Sequence, residues 1–226
     1  MTSKAEIERF LSESGADRYQ RIELPHGLVL PGRDRHPTAE VVFRTGVRDR
    51  SLLDVGCKYG ALCHEALLRG ATRVKGVDLD PNSIAIARTV AEFWDREIEL
   101  ECSDFLDLPE GDRFDTVLFL NVLHHVVDPI VALRKLATLT DDLLIVAFPT
   151  PRDHQTQVPR WARAAIGLLA RRLPLAYLGG TRGRRIWYLS EAAFRSLVVT
   201  QLQLFRRVEF TSSPQRSGRS IAHCWK

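Results

Sequence analysis

The chain has 226 residues, 45% of them hydrophobic and 27% charged, a balance typical of one soluble globular domain that buries its own core. A formal net charge of +4 is far from a histone-like polycation and leaves a nucleic-acid partner open without requiring one. The four cysteines form no CxxC pair and no dense framework, so neither a zinc ribbon nor a disulfide-stapled secreted module fits.

Residues 1–50 are predicted to form an extension before the main domain. A helix is expected near residues 4–14, and the turn-rich stretch RIELPHGLVLPGRDR follows it. The first residues carry charges and lack the apolar stretch of a signal peptide. The longest apolar run, LLIVAF, is far below the roughly 18 residues of a membrane span. We therefore expect no transmembrane segment, reduced thiols and a cytoplasmic location.

From residue 51 onward strands and helices alternate, which is typical of βαβ units and a parallel sheet. Apolar runs predict five strands, expected to be buried on both faces, at 51–55, 73–78, 98–102, 114–120 and 142–148. Apolar spacing predicts helices at 61–69, 81–94 and 128–137, and the chain closes with a helix at 190–200 and strands at 206–210 and 220–225. The sequence predicts an α/β fold with a doubly wound, mostly parallel, Rossmann-like sheet in a domain spanning 51–226.

Basic charge is concentrated in one insertion of that domain, residues 152–186. Its residues 152–185 hold eight arginines and one acid, a local charge of +7, so the rest of the chain sums to −3. Apolar side chains and arginines interleave over 161–178, which predicts an amphipathic helix. A solvated face, an anion clamp, a membrane-surface contact and a dimer element all fit this pattern, and we favour a helical lid over the substrate. The residues expected to contact the substrate are Arg152, Trp161 and Tyr177, with Tyr19 and His26 of the extension.

A glycine-containing turn follows the first strand of the sheet. Residues 54–60, DVGCKYG, lead directly into a helix; glycine allows a sharp turn there, and the helix N-terminus offers free N–H groups to a ligand. The dinucleotide fingerprint GxGxxG needs glycine where Lys58 stands, which disfavours a nicotinamide-dependent dehydrogenase. Asp54 at the strand end would repel a pyrophosphate and suits an ammonium group.

Acids also occur at or just after the ends of the next two strands. Asp78 ends the second strand, where an acid hydrogen-bonds ribose hydroxyls in doubly wound folds. Asp104 follows the third strand and offers a carboxylate to an exocyclic amine, with the ring of Phe105 beside it. Ligands bind at the carboxyl ends of strands in such sheets. An amino group, a ribose and an adenine in that order describe S-adenosylmethionine.

The segments LLDVGCKYGALCHEALLRGA, VKGVDLDP, SDFLDLP and FDTVLFLNVLHHVVDP resemble the successive motifs of class I S-adenosylmethionine-dependent methyltransferases. The resemblance implies a seven-stranded sheet whose last strand is antiparallel, and S-adenosyl-L-methionine as cofactor. It assigns Asp54, Gly56 and Gly60 to the methionine part and the backbone turn, and Asp78 to the ribose. The other residues implied at the cofactor are Leu79, Asp104, Phe105 and Asn121. Lys58 departs from the glycine that many members have there.

A narrower resemblance concerns RYQRIELPHGLVLPGRDR, NVLHHVVDP and IWYLSEAAF, which are similar to the tRNA wobble-uridine methyltransferase group and its small-molecule relatives. Members with a carboxylated cofactor carry a Tyr-His pair where this chain has His124 and His125. That departure favours ordinary methyl transfer over the carboxylated cofactor and the tRNA substrate.

The predicted function is methyl transfer to an oxygen or nitrogen atom of a small polar or anionic metabolite, of natural-product or sugar type. A hydroxyl acceptor must lose a proton, and His124 or His125 is the expected catalytic base. The alternatives are a tRNA acceptor and a non-catalytic protein that binds the cofactor, and a homodimer is left open. No metal site is predicted, because no two histidines or cysteines have convincing ligand spacing and the adjacent histidines are expected to point different ways.

Overall fold

The structure is a computed structural model that describes residues 2–153, 173–181 and 184–226. The chain divides into two compact units, Met1–Pro109 and Glu110–Lys226. The main sheet is seven-stranded and mostly parallel, which confirms the predicted α/β class. Trp161 and most of the predicted amphipathic helix lie outside the described residues. No helix within the described ranges is both long and apolar enough to cross a membrane.

The first unit opens with helix α1, Lys4–Glu13, whose N-cap Ser3 forms a capping box with Glu6. A two-stranded hairpin of β1, Ile22–Glu23, and β2, Val29–Leu30, follows. Sequence analysis missed the next helix, α2, His36–Val42. Apolar side chains of α1 and the hairpin share a buried cluster with residues that follow in the sheet region, and its buried members are Ile7, Ile22, Leu24, Leu30, Tyr59, Ile86 and Val90.

Three parallel strands and two helices complete the first unit. They are β3, Ser51–Val55, α3, Ala61–Leu68, β4, Arg73–Asp78, α4, Pro81–Phe93, and β5, Glu99–Cys102. Strand β4 pairs in parallel with β3 and with β5. The prediction that every strand is buried on both faces is wrong for β5, whose side chains are exposed or half-buried, because β5 is the edge strand.

The second unit holds four strands of the sheet. They are β6, Phe114–Leu120, β7, Thr140–Pro149, β10, Arg207–Ser212, and β11, Arg219–Trp225. Helix α5, Pro129–Leu139, joins β6 to β7 and is N-capped by Asp128. Strands β6 and β7 are parallel, whereas β11 is antiparallel to both β7 and β10. The last strand is therefore antiparallel, as the resemblance implied.

The described end of the basic insertion is a β-hairpin. Strand β8, Ala176–Thr181, pairs antiparallel with β9, Arg184–Leu189. The predicted lid helix is therefore wrong for its last residues, where alternating side chains pair across two strands. Ser190 N-caps helix α6, Glu191–Arg195, as predicted, but the chain then continues as a π-helical turn, Ser196–Gln201, instead of one longer α-helix.

Candidate functional site

The turn after β3 has the backbone shape that a close-approaching ligand needs. Gly56 and Gly60 have φ angles of 78° and 77°, in the left-handed region that glycine adopts without strain. The N–H groups of Gly56 and Cys57 both donate to the carbonyl of Val77, at 2.8 and 3.1 Å, and α3 begins directly after Gly60. Lys58 also adopts a left-handed φ of 55°, so the chain keeps the glycine-type turn with a lysine in it.

Asp78, at the end of β4, lies against this turn. Its Oδ2 atom accepts the backbone N–H of Lys58 at 2.9 Å, and its Oδ1 atom accepts that of Asp80 at 3.0 Å. Each carboxylate oxygen has two acceptor positions, so a second hydrogen bond remains available at both atoms. The structure thus places Asp78, which is predicted to bind the ribose, beside the glycine-containing turn that is predicted to bind the methionine part.

Asp54 is almost fully buried, at 3% exposure. Burial, and next the negative charge of Asp78, raise the pKa of Asp54 to about 7, against the opposing effects of the Cys63 thiol and the Arg35 charge. The Cys63 thiol lies 3.8 Å from Asp54 Oδ2 and donates to it. Two acids at the end of neighbouring strands therefore make a place that favours a cation.

The amino-terminal extension braces the turn through residues that carried no signal in the sequence. The Gln20 side chain is buried; its Nε2 donates to the Cys57 carbonyl at 3.3 Å, and its Oε1 accepts the Tyr59 N–H at 3.0 Å. The Lys58 ammonium lies 3.5 Å from carboxylate oxygens of both Asp17 and Asp80. Gln20 is thus a structural support for the ligand turn.

The end of β5 adds the third acid. The Ser103 N–H donates to the Asp78 carbonyl at 3.2 Å, which joins the ends of β4 and β5. Asp104 caps a single 3₁₀ turn by accepting the Leu106 N–H at 3.0 Å, and Phe105 is buried beneath it. Leu79 is 70% exposed and offers an apolar surface. The first unit therefore places together the cofactor residues that the motifs predicted in it.

Asn121 belongs to the second unit, directly after β6. It has a left-handed φ of 63°, and its N–H donates to the Ala147 carbonyl at 3.0 Å. Its Oδ1 atom accepts from Arg219 Nη1, and Arg219 Nε donates to Asp153 Oδ2 at 2.9 Å. Sequence analysis missed this buried pair, since the two residues are 66 positions apart and form no motif.

His124 and His125 follow Asn121 on a short 3₁₀ turn. His124 is 2% exposed, whereas His125 is exposed. Their ring centroids are 3.9 Å apart and the rings are tilted by 43°, so the prediction that they point different ways is wrong. Because His125 is the exposed ring, it is the better placed of the two to meet a substrate from solvent.

The expected substrate residues lie in different places. In the first unit, Arg35 stacks over the Tyr19 ring at 4.6 Å, while His26 Nε2 lies 3.0 Å from the Thr2 carbonyl. In the second unit Arg152 is exposed after β7, and Tyr177 stacks on Tyr188 at 5.0 Å in the β8–β9 hairpin.

Tyr177 has its polar atom in an unusual environment. Its hydroxyl is buried without a hydrogen-bond partner among the described residues. Burial, followed by the nearby Tyr188 and Asp153, raises its pKa to about 12, so it remains a protonated donor at neutral pH.

One cluster has ligand-type side chains at metal-like spacing, although no metal site was predicted. The ligand atoms of His36, Glu40 and Glu65 lie within 4.8 Å of one another. Both carboxylates already pair with Arg69, at 2.8 Å for Glu65. This surface group is accounted for by its ion pairs.

Comparison with known proteins finds a matching family model and similar curated proteins. Residues 25–201 match the family model described as a methyltransferase domain. The ubiquinone biosynthesis O-methyltransferase of Neisseria meningitidis serogroup C is 36% identical over 107 residues, 46% of this chain and 45% of that protein. Its namesake in Nitrobacter winogradskyi is 32% identical over 136 residues, 60% of this chain and 49% of that protein. The chain thus spans about half the length of the curated relatives it matches.

Solved structures share the fold. The N-terminal domain of EvdMO1 with S-adenosylhomocysteine bound superposes with a TM-score of 0.73 at 16% identity, over 100% of this chain and 98% of that one. The magnesium protoporphyrin IX methyltransferase from Synechocystis PCC 6803, also with S-adenosylhomocysteine, gives 0.57 at 21% identity, over 83% and 78% of the two chains. A Burkholderia thailandensis 1,6-didemethyltoxoflavin-N1-methyltransferase gives 0.61 at 17% identity, over 84% and 77%.

Proposed function

The chain belongs to the methyltransferase-domain family, as the class I motifs predicted, and we propose that it transfers a methyl group from S-adenosyl-L-methionine to an oxygen or nitrogen atom of a small polar or anionic metabolite. The observation that carries the proposal is the pair Asp54 and Asp78 at the glycine-containing turn. A buried carboxylate with a raised pKa, beside a second carboxylate, gains most from a ligand that carries a positive charge there.

The residues of the first unit fit this cofactor. Asp54 would face its ammonium group, and the free acceptor positions of Asp78 suit two ribose hydroxyls. One carboxylate oxygen of Asp104 accepts the Leu106 N–H, and the other would accept a hydrogen bond from the adenine amine. Leu79 and Phe105 supply apolar surface for the adenine ring. When bound, the cofactor supplies a methyl group made electrophilic by its sulfonium, so the chain's own task is to orient the acceptor and exclude water.

A hydroxyl acceptor also needs a base, and we assign this role to His125. Histidine is the side chain that most often acts as general base in enzymes. An amine acceptor is already nucleophilic and needs no such step. The proposal therefore makes His125 important for O-methylation only.

The substrate class is supported by the charge of the chain and by its relatives. The insertion around Arg152 carries +7, which favours a polar or anionic acceptor. Proteins similar to this chain are named for methylating small molecules, at oxygen in ubiquinone biosynthesis and at nitrogen in didemethyltoxoflavin. We also propose a cytoplasmic location, supported by the four cysteines, which form no disulfide. No comparison or described residue supports the tRNA acceptor or the homodimer, and we propose neither.

A labelled-methyl assay tests the function. The protein is incubated with methyl-labelled S-adenosylmethionine and an extract separated into small molecules and RNA. We expect label in the small-molecule fraction, and its loss in Asp78→Ala, while the exposed Asp107→Ala serves as the matched control. Label in the RNA fraction would instead support the tRNA alternative. Cofactor binding by calorimetry without label in either fraction would identify a non-catalytic binding protein.

A further inference from the structure

A cavity of about 520 Å³ lies within the first unit, and none of the cofactor residues lines it. Its walls come from β1, from α2 and the residues before it, from α3 and from the residues that follow α4. Helix α3 starts at the glycine-containing turn, so the cavity and the cofactor site share that helix. The family assignment leaves this cavity without a role.

His64 lines the cavity with a ring that the protein does not satisfy. It is 6% exposed, and neither ring nitrogen has a hydrogen-bond partner among the described residues. Burial, and then the charge of Arg96, lower its pKa to about 4, so the ring is neutral at neutral pH. A neutral imidazole has one donor and one acceptor. Buried polar atoms nearly always have hydrogen-bond partners. Both ring nitrogens of His64 are therefore available to a ligand that donates to one of them and accepts from the other.

Of the charged side chains that line the cavity, all but Arg96 have an ionic or hydrogen-bonding partner among the described residues; Arg35 Nη2, for example, donates to the Tyr19 carbonyl at 3.1 Å. The carboxylate of Glu23 pairs with Arg21 at 3.1 Å, and that of Glu65 pairs with Arg69 at 2.8 Å. Asp34 accepts the His36 N–H at 2.9 Å. Arg96 packs its guanidinium over the Trp94 ring at 5.6 Å and has no ion pair among the described residues. An aromatic face holds a guanidinium in place while its N–H donors stay available.

We propose that this cavity binds a small organic anion, a phosphate or carboxylate that also carries a hydroxyl group, in addition to the cofactor and the methyl acceptor. The Arg96 guanidinium binds the anionic oxygens, since its fork of donors matches phosphate and carboxylate groups. The hydroxyl donates to the unprotonated ring nitrogen of His64, and a second oxygen of the same molecule accepts the ring N–H. One molecule then supplies the partners that both residues lack.

Nitrogen NMR of the ring tests the proposal. Protein labelled with ¹⁵N-histidine is saturated with S-adenosylhomocysteine, which blocks binding in the cofactor site, and titrated with glycerol 3-phosphate, with lactate and with uncharged glycerol. The His64 signals are identified by their loss in His64→Gln. We expect a saturable shift of these signals with glycerol 3-phosphate or lactate and none with glycerol. The two anionic probes decide between a phosphate and a carboxylate.

Two variants locate the anionic group. Arg96→Met keeps the stem of the side chain and is expected to weaken binding at least about tenfold, in line with the loss of a charged hydrogen bond. Arg9→Met, on the exposed surface of α1, is the matched control and should bind as the unchanged protein does. The proposal is overturned by an absence of shifts with both anions, by equal shifts with glycerol, or by undiminished binding in Arg96→Met. The comparison of glycerol 3-phosphate with glycerol decides the matter even where Arg96→Met does not fold.

Discussion

Arg219 donates from Nε to Asp153 Oδ2 at 2.9 Å, and both side chains are buried. The same guanidinium donates to Oδ1 of Asn121. Because a guanidinium has donors only, this contact fixes the orientation of the amide, with its oxygen toward Arg219 and its Nδ2 group turned away. A buried ion pair therefore positions a hydrogen-bond donor at the end of β6.

Removal of Arg219 should destabilise the protein strongly. Arg219→Met leaves the carboxylate of Asp153 buried without its guanidinium, which typically costs about 3–5 kcal/mol. We expect the free energy of unfolding in urea to fall by that order. The exposed pair of Arg207 and Glu209, 3.4 Å apart, provides the control, and Arg207→Met should change stability by less than about 1 kcal/mol.

The double variant separates the charge effect from lost packing. Arg219→Met combined with Asp153→Leu removes both charges and should recover part of the lost stability, since a buried pair replaced by apolar groups is often nearly neutral. A single variant no less stable than the Arg207 control would show that the ion pair contributes nothing.

Gln20 should matter for cofactor affinity although it is not expected to touch the cofactor. Gln20→Met keeps the side-chain length and removes both hydrogen bonds to the turn, at the Cys57 carbonyl and the Tyr59 N–H. Leaving such buried groups unsatisfied costs roughly 1–3 kcal/mol, and we expect S-adenosylhomocysteine to bind about tenfold more weakly by calorimetry. Gln201→Met, at an exposed position, is the control. Equal affinity in both variants would remove Gln20 from the support of the turn.

The elements predicted well are those whose signal is local. Strands β3, β4 and β6 have the predicted bounds, because a short apolar run that is buried on both faces is readable without its neighbours. Helix α2 was missed, since its first residue follows Arg35, which makes no side-chain cap, and a proline comes next. The predicted bounds of β5 were close, but its predicted burial was wrong. The sequence of a strand does not show whether the strand lies at the edge or in the middle of its sheet.

The candidate site divides in the same way. Asp54, Asp78 and Asp104 could be found because each acid lies at or just beyond the carboxyl end of a strand. Gln20 and Arg219 could not, since each acts on a residue far along the chain: Gln20 contacts Cys57 across 37 positions, and Arg219 contacts Asn121 across 98. Long-range polar contacts of this kind follow from packing, and a single sequence carries no periodic pattern for them.

Asp54 should make stability depend on pH in the free protein. Its pKa is raised to about 7, whereas in the unfolded chain it titrates near 3.8, so between these values the folded state binds a proton that the unfolded state does not. The free energy of unfolding then falls as pH rises through this window, by at most about 1.4 kcal/mol per pH unit, and levels off above it.

The Asp54→Asn variant isolates this contribution. His64, whose pKa is lowered to about 4, acts in the opposite direction because its stabilising effect is lost as pH falls, so only the difference between the two proteins is informative. We expect that difference to decline with rising pH in urea unfolding curves. A difference that is constant with pH would show that Asp54 titrates at its ordinary pKa.

The last prediction concerns the proton of a hydroxyl acceptor. His125→Ala should lower kcat by about 10²–10⁴-fold, the usual contribution of general-base catalysis, while S-adenosylhomocysteine affinity stays unchanged. The pH profile of kcat should lose its acid limb in the variant, because that limb reports protonation of the base. His124 is buried, so His124→Ala should reduce the free energy of unfolding as well as activity. An amine acceptor should be methylated equally well by His125→Ala, and full turnover of a hydroxyl acceptor by that variant would exclude His125 as the base.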